Sequence, residues 1–332
     1  MRRLMLTALG ALVPAALFAA ATGYHILGEI TIGGDGGWDY LSADSAARRL
    51  YVSHATHVVV VDLDSNKVVG DIPDTPGVHG IAIASDLGKG FVSNGRGNNV
   101  TIFDLKTLKA VGEKVATGEN PDSIRYDPVS KRVFAFNGRS KSTTAIDAAS
   151  GKVAATIPLP GKPEFSVADG KGHVFANLED TNEIVDIDAA KATVVKKYAL
   201  TGCDGPSGLA IDTKSRRLFS VCSNRVMAIS DPDAGKVVAT PAIGAGSDGV
   251  AFDPGTGYAM SSNGDGTLTI VAQTGGKWDV LENIATERGA RTIAVDEKTH
   301  KAYLPTAKVA PQASGGRTTY LPNTFKVLIV GK

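Results

Sequence analysis

Six ionisable side chains and one serine occupy the same position in seven related segments: Asp39, His79, Asp122, Glu164, Ser207, Asp248 and Arg291. A packed strand favours apolar residues there, so the recurrence of charge calls for an explanation beyond structure. A second set stands at a matching position further along each segment: His54, Asn94, Asn137, Asn177, Cys222, Asn263 and Thr306. If both sets share one face, two chemistries are open. His54, His57 and His79 with Asp39 form a nitrogen and oxygen donor set suited to zinc, copper, iron or nickel. Asp122, Glu164, Asn137 and Asn177 form an oxygen set suited to calcium. Four carboxylates around a narrow opening would also repel one another and rise in pKa unless a cation or Arg291 compensates. A hydrogen-bonded, water-filled opening with no fixed ion accounts for the same residues, and an organic ligand held by Arg291 is the remaining alternative.

These positions are defined by a motif of apolar strand, acidic turn with Lys or Arg, and second apolar strand. Examples are WDYLSADSAARRLYVS from Trp38, DSIRYDPVSKRVFAF from Asp122 and SGLAIDTKSRRLFSV from Ser207. The turn anchors are Asp44, Ala84, Asp127, Asp169, Asp212, Asp253 and Asp296, spaced 40 to 43 residues apart. The ligand candidates lie five residues before each anchor and eight to ten after it. A repeat of this length with several short strands predicts an all-β fold, a seven-bladed β-propeller with four-stranded blades. The strands of each blade are lettered A to D from the centre outward. In such a ring the D-to-A and B-to-C connections share one face, so both residue sets surround one mouth of the central channel. The anchor aspartates belong to the other face, where an Asp that starts a turn accepts backbone N–H groups.

The last unit lacks a fourth strand, with residues 325–330 as its third, while residues 24–32 at the N-terminus are spare. Pairing the two closes the ring and removes two open edges. Residues 305–324 form an insertion rich in Gly, Pro and Thr. In the second unit the D strand is expected at residues 110–116.

Arg2 and Arg3 precede an apolar run from Leu4 to Phe18, with Ala19–Ala21 as a small-residue cleavage region. This pattern predicts a signal peptide over residues 1–21, a mature propeller over 22–332, and a periplasmic or secreted location. Without Arg2 and Arg3 the chain has 33 basic and 34 acidic residues. That balance weighs against gripping a phosphate backbone. Cys203 and Cys222 fall on one face of the fifth unit, and in an oxidising compartment they are expected to pair. Arg96 and Arg139 follow Asn-Gly in equivalent loops. They could hold an anion over the mouth, although tight turns with solvated arginines are the commoner use of this motif.

The segments RRLYVSH (48–54), KRVFAFN (131–137) and RRLFSVC (216–222), with the turns VVDLDSNKVV and DAASGKVAATI, resemble the YVTN-repeat, YncE-like β-propeller family. The resemblance covers nearly all of the chain beyond residue 21 and implies an exported seven-bladed protein. One branch of that family implies single-stranded DNA binding, and more distant relatives imply lactone hydrolysis or membership of redox assemblies.

No Gly-x-Ser-x-Gly elbow, phosphate loop or HExxH helix is present in the sequence. The expectation is therefore a monomeric binding or scaffold protein rather than an enzyme. It would hold a small molecule, protein or one divalent metal at the mouth through Asp39, His79, Asp122, Glu164, Asp248 and Arg291 with Asn94, Asn137, Asn177 and Asn263. A metal would sit on His54, His79 and Asp39. A metal-assisted hydrolase or lyase of lactone-like substrates is the first alternative. Single-stranded DNA binding is the second.

Overall fold

The structure, a computed structural model, describes residues 21–310 and 319–332. Both the signal-peptide reading, through residue 20, and the centre of the 305–324 insertion lie outside the described residues. Seven four-stranded antiparallel sheets form the ring of a seven-bladed β-propeller. The blades span residues 41–72, 78–116, 121–158, 163–199, 206–239 and 247–285. The seventh combines Ala294–Asp296, Lys301–Thr306 and Lys326–Gly331 with the N-terminal strand His25–Thr31. That strand pairs antiparallel with Lys326–Gly331, as the spare segment required. Among the described residues no helix is long and apolar enough to cross a membrane.

The B and C strands are buried on both faces because each blade is sandwiched between two others. Alternate side chains of one strand therefore enter different cores. Leu50 and Val52 pack towards blade 7, while Tyr51 packs towards blade 2. Val133 and Ala135 pack towards blade 2, and Phe134 and Phe136 towards blade 4. Seven apolar clusters result, one between each pair of neighbouring blades.

Polar staples join the blades at the A-to-B turns. Arg48, Lys131, Arg216 and His300 all adopt a left-handed φ of 52–58°. Each reaches back to a carboxylate on the preceding blade: Asp296, Asp86, Asp169 and Asp253 respectively. The next residue can reach forward, as when Arg49 donates to the Leu105 carbonyl and Arg132 to the Ala189 and Ala190 carbonyls. The repeated basic pair is thus a two-way clamp. The anchor aspartates also cap their own turns, as in Asp44 accepting from Ala47 N at 2.9 Å.

The fourth strand of blade 2 is shorter than the expected 110–116. It comprises Val115–Ala116 and an isolated bridge between Phe103 and Ala110. Gly112, at φ 69°, breaks the ladder, and Lys114 turns away to pair with Asp74 at 2.7 Å. Cys203 and Cys222 form a disulfide that ties the loop into blade 5 to the end of its second strand.

Candidate functional site

Irregular backbone delivers the mouth residues. The pairing of the first two strands slips in blades 2 to 6, between Val78 and Ile81, Pro121 and Ile124, Pro163 and Ser166, Pro206 and Leu209, and Ser247 and Gly249. His79, Asp122, Glu164, Ser207 and Asp248 all fall within these bulges. A bulge interrupts strict alternation and re-aims a side chain, which explains how charged groups leave an otherwise packed strand. Asp39 and Arg291 precede the inner strands of blades 1 and 7. Neighbouring backbones come close here. A Cβ on Gly208 would stand 2.7 Å from the Asp248 carbonyl oxygen, and one on Gly249 2.8 Å from Thr292 Cα.

Asp39, His79 and Asp122 converge from three consecutive blades, with one potential ligand atom from each lying within 4.8 Å of the others. His79 Nδ1 is 2.5 Å from Asp39 Oδ2 and 3.6 Å from Asp122 Oδ1. Gly95 leaves room for the ring, since a Cβ there would meet His79 Nε2 at 2.5 Å. Asp122 is 8% exposed, and its Oδ1 is buried without a hydrogen-bond partner among the described residues.

Other charges flank this trio. Arg291 Nε is 3.3 Å from Asp248 Oδ2. Lys162 Nζ is 3.2 Å from Glu164 Oε2 and also pairs with Glu179. Burial pushes the Asp122 carboxyl well up, and Asp39, Glu164 and Asp248 add to the rise against the pull of His79. Burial raises Glu164 to about 7 despite Lys162, with Glu179 and Asp248 contributing. Asp248 is raised to about 6 by burial and Asp39, against Arg291. Burial disfavours the His79 imidazolium, yet the Asp39 hydrogen bond and the charges of Asp122 and Glu164 hold it at about 9.

The floor of the mouth is aromatic. Tyr40 from blade 1 and Phe165 from blade 4 meet edge-on, with ring centroids 4.6 Å apart. These blades are not neighbours, so the pair spans the channel. Burial raises the Tyr40 hydroxyl well above its ordinary value, and Asp122, Asp39, Glu164 and Asp248 act in the same direction. Spacing singled out neither ring, because aromatic residues one place after a mouth residue read as ordinary core. The described ends of the insertion also reach this region. Val309 bridges Tyr320, whose ring is 4.6 Å from Trp38.

The remaining candidates make hydrogen bonds or stacks within the fold, although Asn94 Oδ1 and Asn137 Oδ1, like Asp122 Oδ1, are buried without a hydrogen-bond partner among the described residues. Asn94 donates to Asn99 and Thr101, Asn137 to Ser142 and Thr144, and Asn263 to Thr267 and Thr269. Asn177 donates to the Ser207 and Gly208 carbonyls of the next blade. Ser207 accordingly helps to hold blades together, its hydroxyl donating to the Ser247 carbonyl. His54 stands apart from the Asp39–His79–Asp122 group. Its ring stacks on Phe325 at 4.4 Å and meets His57 at 4.9 Å. Burial, then the neighbouring His57, lowers it to about 4. Arg96 and Arg139 are exposed.

No protein-family model matches the chain, and no curated protein matches it significantly. Solved structures do. Hydrazine synthase from Kuenenia stuttgartiensis aligns over 81% of this chain and 92% of its own, with 16% identity and a TM-score of 0.70. U3-55K aligns over 92% of this chain and 98% of its own, with 9% identity and a TM-score of 0.76. At these identities the likeness is one of fold, and it agrees with a seven-bladed β-propeller.

Proposed function

We propose that this chain is an exported propeller that binds a divalent metal at its channel mouth through Asp39, His79 and Asp122. The carrying observation is the buried Asp122 carboxylate, whose Oδ1 lacks a hydrogen-bond partner while His79 Nδ1 and Asp39 Oδ2 stand close by. One nitrogen and two oxygen donors suit zinc or another first-row ion better than calcium, which takes six to eight oxygens. Asp248 and Glu164 would lie just outside such a set, with Arg291 and Lys162 offsetting their charge. The disulfide supports an oxidising compartment and hence the reading of residues 1–21 as a removed signal, leaving 22–332 as the mature propeller. A near-neutral chain with a carboxylate-lined mouth favours neither DNA nor RNA.

A second reading, metal-assisted hydrolysis or lyase chemistry on lactone-like substrates, rests on Glu164. A carboxyl held at about 7 is poised to take or give a proton near neutral pH. A metal would supply Lewis acidity, Glu164 would handle the proton, and the Tyr40–Phe165 bar would form the substrate floor.

Titrating untagged mature protein with zinc and cobalt(II) tests the first reading. It expects one equivalent, a cobalt spectrum of mixed nitrogen and oxygen ligation, and at least tenfold weaker binding in His79→Ala and Asp122→Asn. His54→Ala should bind as the parent does. Stoichiometric binding that survives His79→Ala, or none with either ion, would overturn it. Lactone turnover by the loaded parent, lost in Glu164→Gln while metal is retained, would establish the second.

A further inference from the structure

Beneath the aromatic bar lies a cavity of about 340 Å³, lined by the innermost strands of all seven blades. This is the lower end of the range for small-molecule sites, roughly 300–1,000 Å³. Its wall is mostly aliphatic and aromatic, including Ile83, Val167, Ile211, Phe252 and Val295. Arg125 is the one ionisable side chain of the lining besides the tyrosines Tyr40 and Tyr126.

The fold does not call for an arginine there. Two residues before the anchor, the other six units carry Ser42, Ala82, Val167, Ala210, Ala251 and Ala294. Arg125 is also unusual in its partners. Nε and Nη2 donate to the Ser166 carbonyl at 3.1 and 2.8 Å, and the guanidinium stands 5.5 Å from the centre of the Phe165 ring. Among the described residues no carboxylate lies within ion-pair distance of it. A guanidinium offers five N–H donors, so Nη1 and part of Nη2 remain unclaimed. Burial pulls the group down to about 10, which leaves it cationic at neutral pH. A partly buried cation gains from a counter-charge, and a planar guanidinium edge matches a carboxylate.

We propose that the channel beneath the mouth binds an organic carboxylate with an apolar body, its carboxylate on the free edge of Arg125. The Tyr40–Phe165 pair spans the mouth side, and the proposed route of entry is the opposite face. Its apolar body then lies along Ile211, Phe252 and Val295. This site is independent of the metal site in both ligand chemistry and access.

Calorimetric titration with octanoate, 1-octanol and octylamine provides the test, using the parent, Arg125→Met and Arg125→Lys. The expected result is one octanoate per chain, bound at least tenfold more tightly than either neutral or cationic analogue. Arg125→Met should lose that preference while keeping its unfolding temperature and zinc binding. Should Arg125→Met not fold, Arg125→Lys decides: it keeps the charge but loses the forked geometry, and the preference should fall severalfold. Equal binding of acid and alcohol, octanoate binding unchanged in both variants, or no binding at millimolar octanoate would overturn the proposal.

Discussion

Replacing Arg48 by Met tests whether the basic turn residues clamp the ring. Arg48 Nη1 lies 2.7 and 2.8 Å from the two carboxylate oxygens of Asp296 across the junction of blades 1 and 7. The Asp296 side chain is fully buried and that of Arg48 is 12% exposed. The other arm, to Asp64, is largely solvated and adds at most about 1 kcal/mol. Met keeps the aliphatic stem and meets the same left-handed backbone, so the comparison isolates the guanidinium. After the change Asp296 still accepts from Thr299 Oγ1 at 2.6 Å and Lys298 N at 3.2 Å, which limits the damage. A hydrogen bond to a charged group contributes about 1.5–3 kcal/mol, so a loss of about 2 kcal/mol is expected. The Asp296 pKa gives an independent scale. Burial raises this carboxyl, but Thr299, Ser45, Arg48 and the Lys298 amide bring it from 3.8 to about 2. That net difference corresponds to about 2.4 kcal/mol left by its partners after the burial cost. Because folding depresses this pKa, the stabilisation is complete above about pH 4 and disappears as pH falls through about 2. Thermal unfolding at a fixed scan rate should show Arg48→Met melting about 4 °C below the parent at pH 7, taking about 2 °C per kcal/mol for a chain of this size. The gap should close towards pH 2. A gap under 1 °C at neutral pH, or one that persists undiminished at pH 2, would refute the clamp.

Two further outcomes follow from the structure. His54 is 1% exposed, and neither ring nitrogen has a hydrogen-bond partner among the described residues. Its folded pKa of about 4 lies below the ordinary 6.5, so the unfolded chain takes up the proton first and parent stability falls by about 2 kcal/mol as pH drops from 6.5 to 4. His54→Phe should remove that slope and raise neutral stability by about 1 kcal/mol in chemical denaturation; an unchanged slope would contradict this reading. Removing residues 21–32 strips the closing strand from Lys326–Gly331 and should send the protein to the insoluble fraction, whereas soluble protein with parental circular dichroism would show that the strand is dispensable.

The blades were legible in the sequence because the same physics repeats seven times. Strand, acidic turn and strand recur at 40–43 residues, and each copy corroborates the others. Ring closure was legible from an unpaired strand at each end. The exception in blade 2 arose because Gly112 breaks a strand whose two ends, Ala110–Val111 and Val115–Ala116, are apolar. The mouth was legible for the opposite reason: its residues depart from the repeat in chemistry while keeping its register. That logic gathered Asp39, His79 and Asp122, which the structure brings together, along with Asn94, Asn137 and Asn263, which bond within their own blades, and Asn177, which bonds to the next. Register gives a residue's face and not its reach. His54 shares the register of these asparagines, yet Phe325 from the closing blade draws its ring into a stack.

Arg125 is the sharper case. It occupies a position that is Ser, Ala or Val in every other unit, so the departure that marked the mouth marks it as well. Comparing each repeat position in turn, rather than the strand entrances alone, would have exposed it. What no such comparison supplies is the Tyr40–Phe165 contact between non-neighbouring blades. That contact depends on the radius of the closed ring, and it lies between the mouth residues and the cavity that Arg125 lines. Asp122 and Arg125 share one strand, yet among the described residues no carboxylate lies within ion-pair distance of the guanidinium. Asp122 belongs to the mouth cluster and Arg125 to the cavity lining, and the ligands proposed for them carry opposite charge.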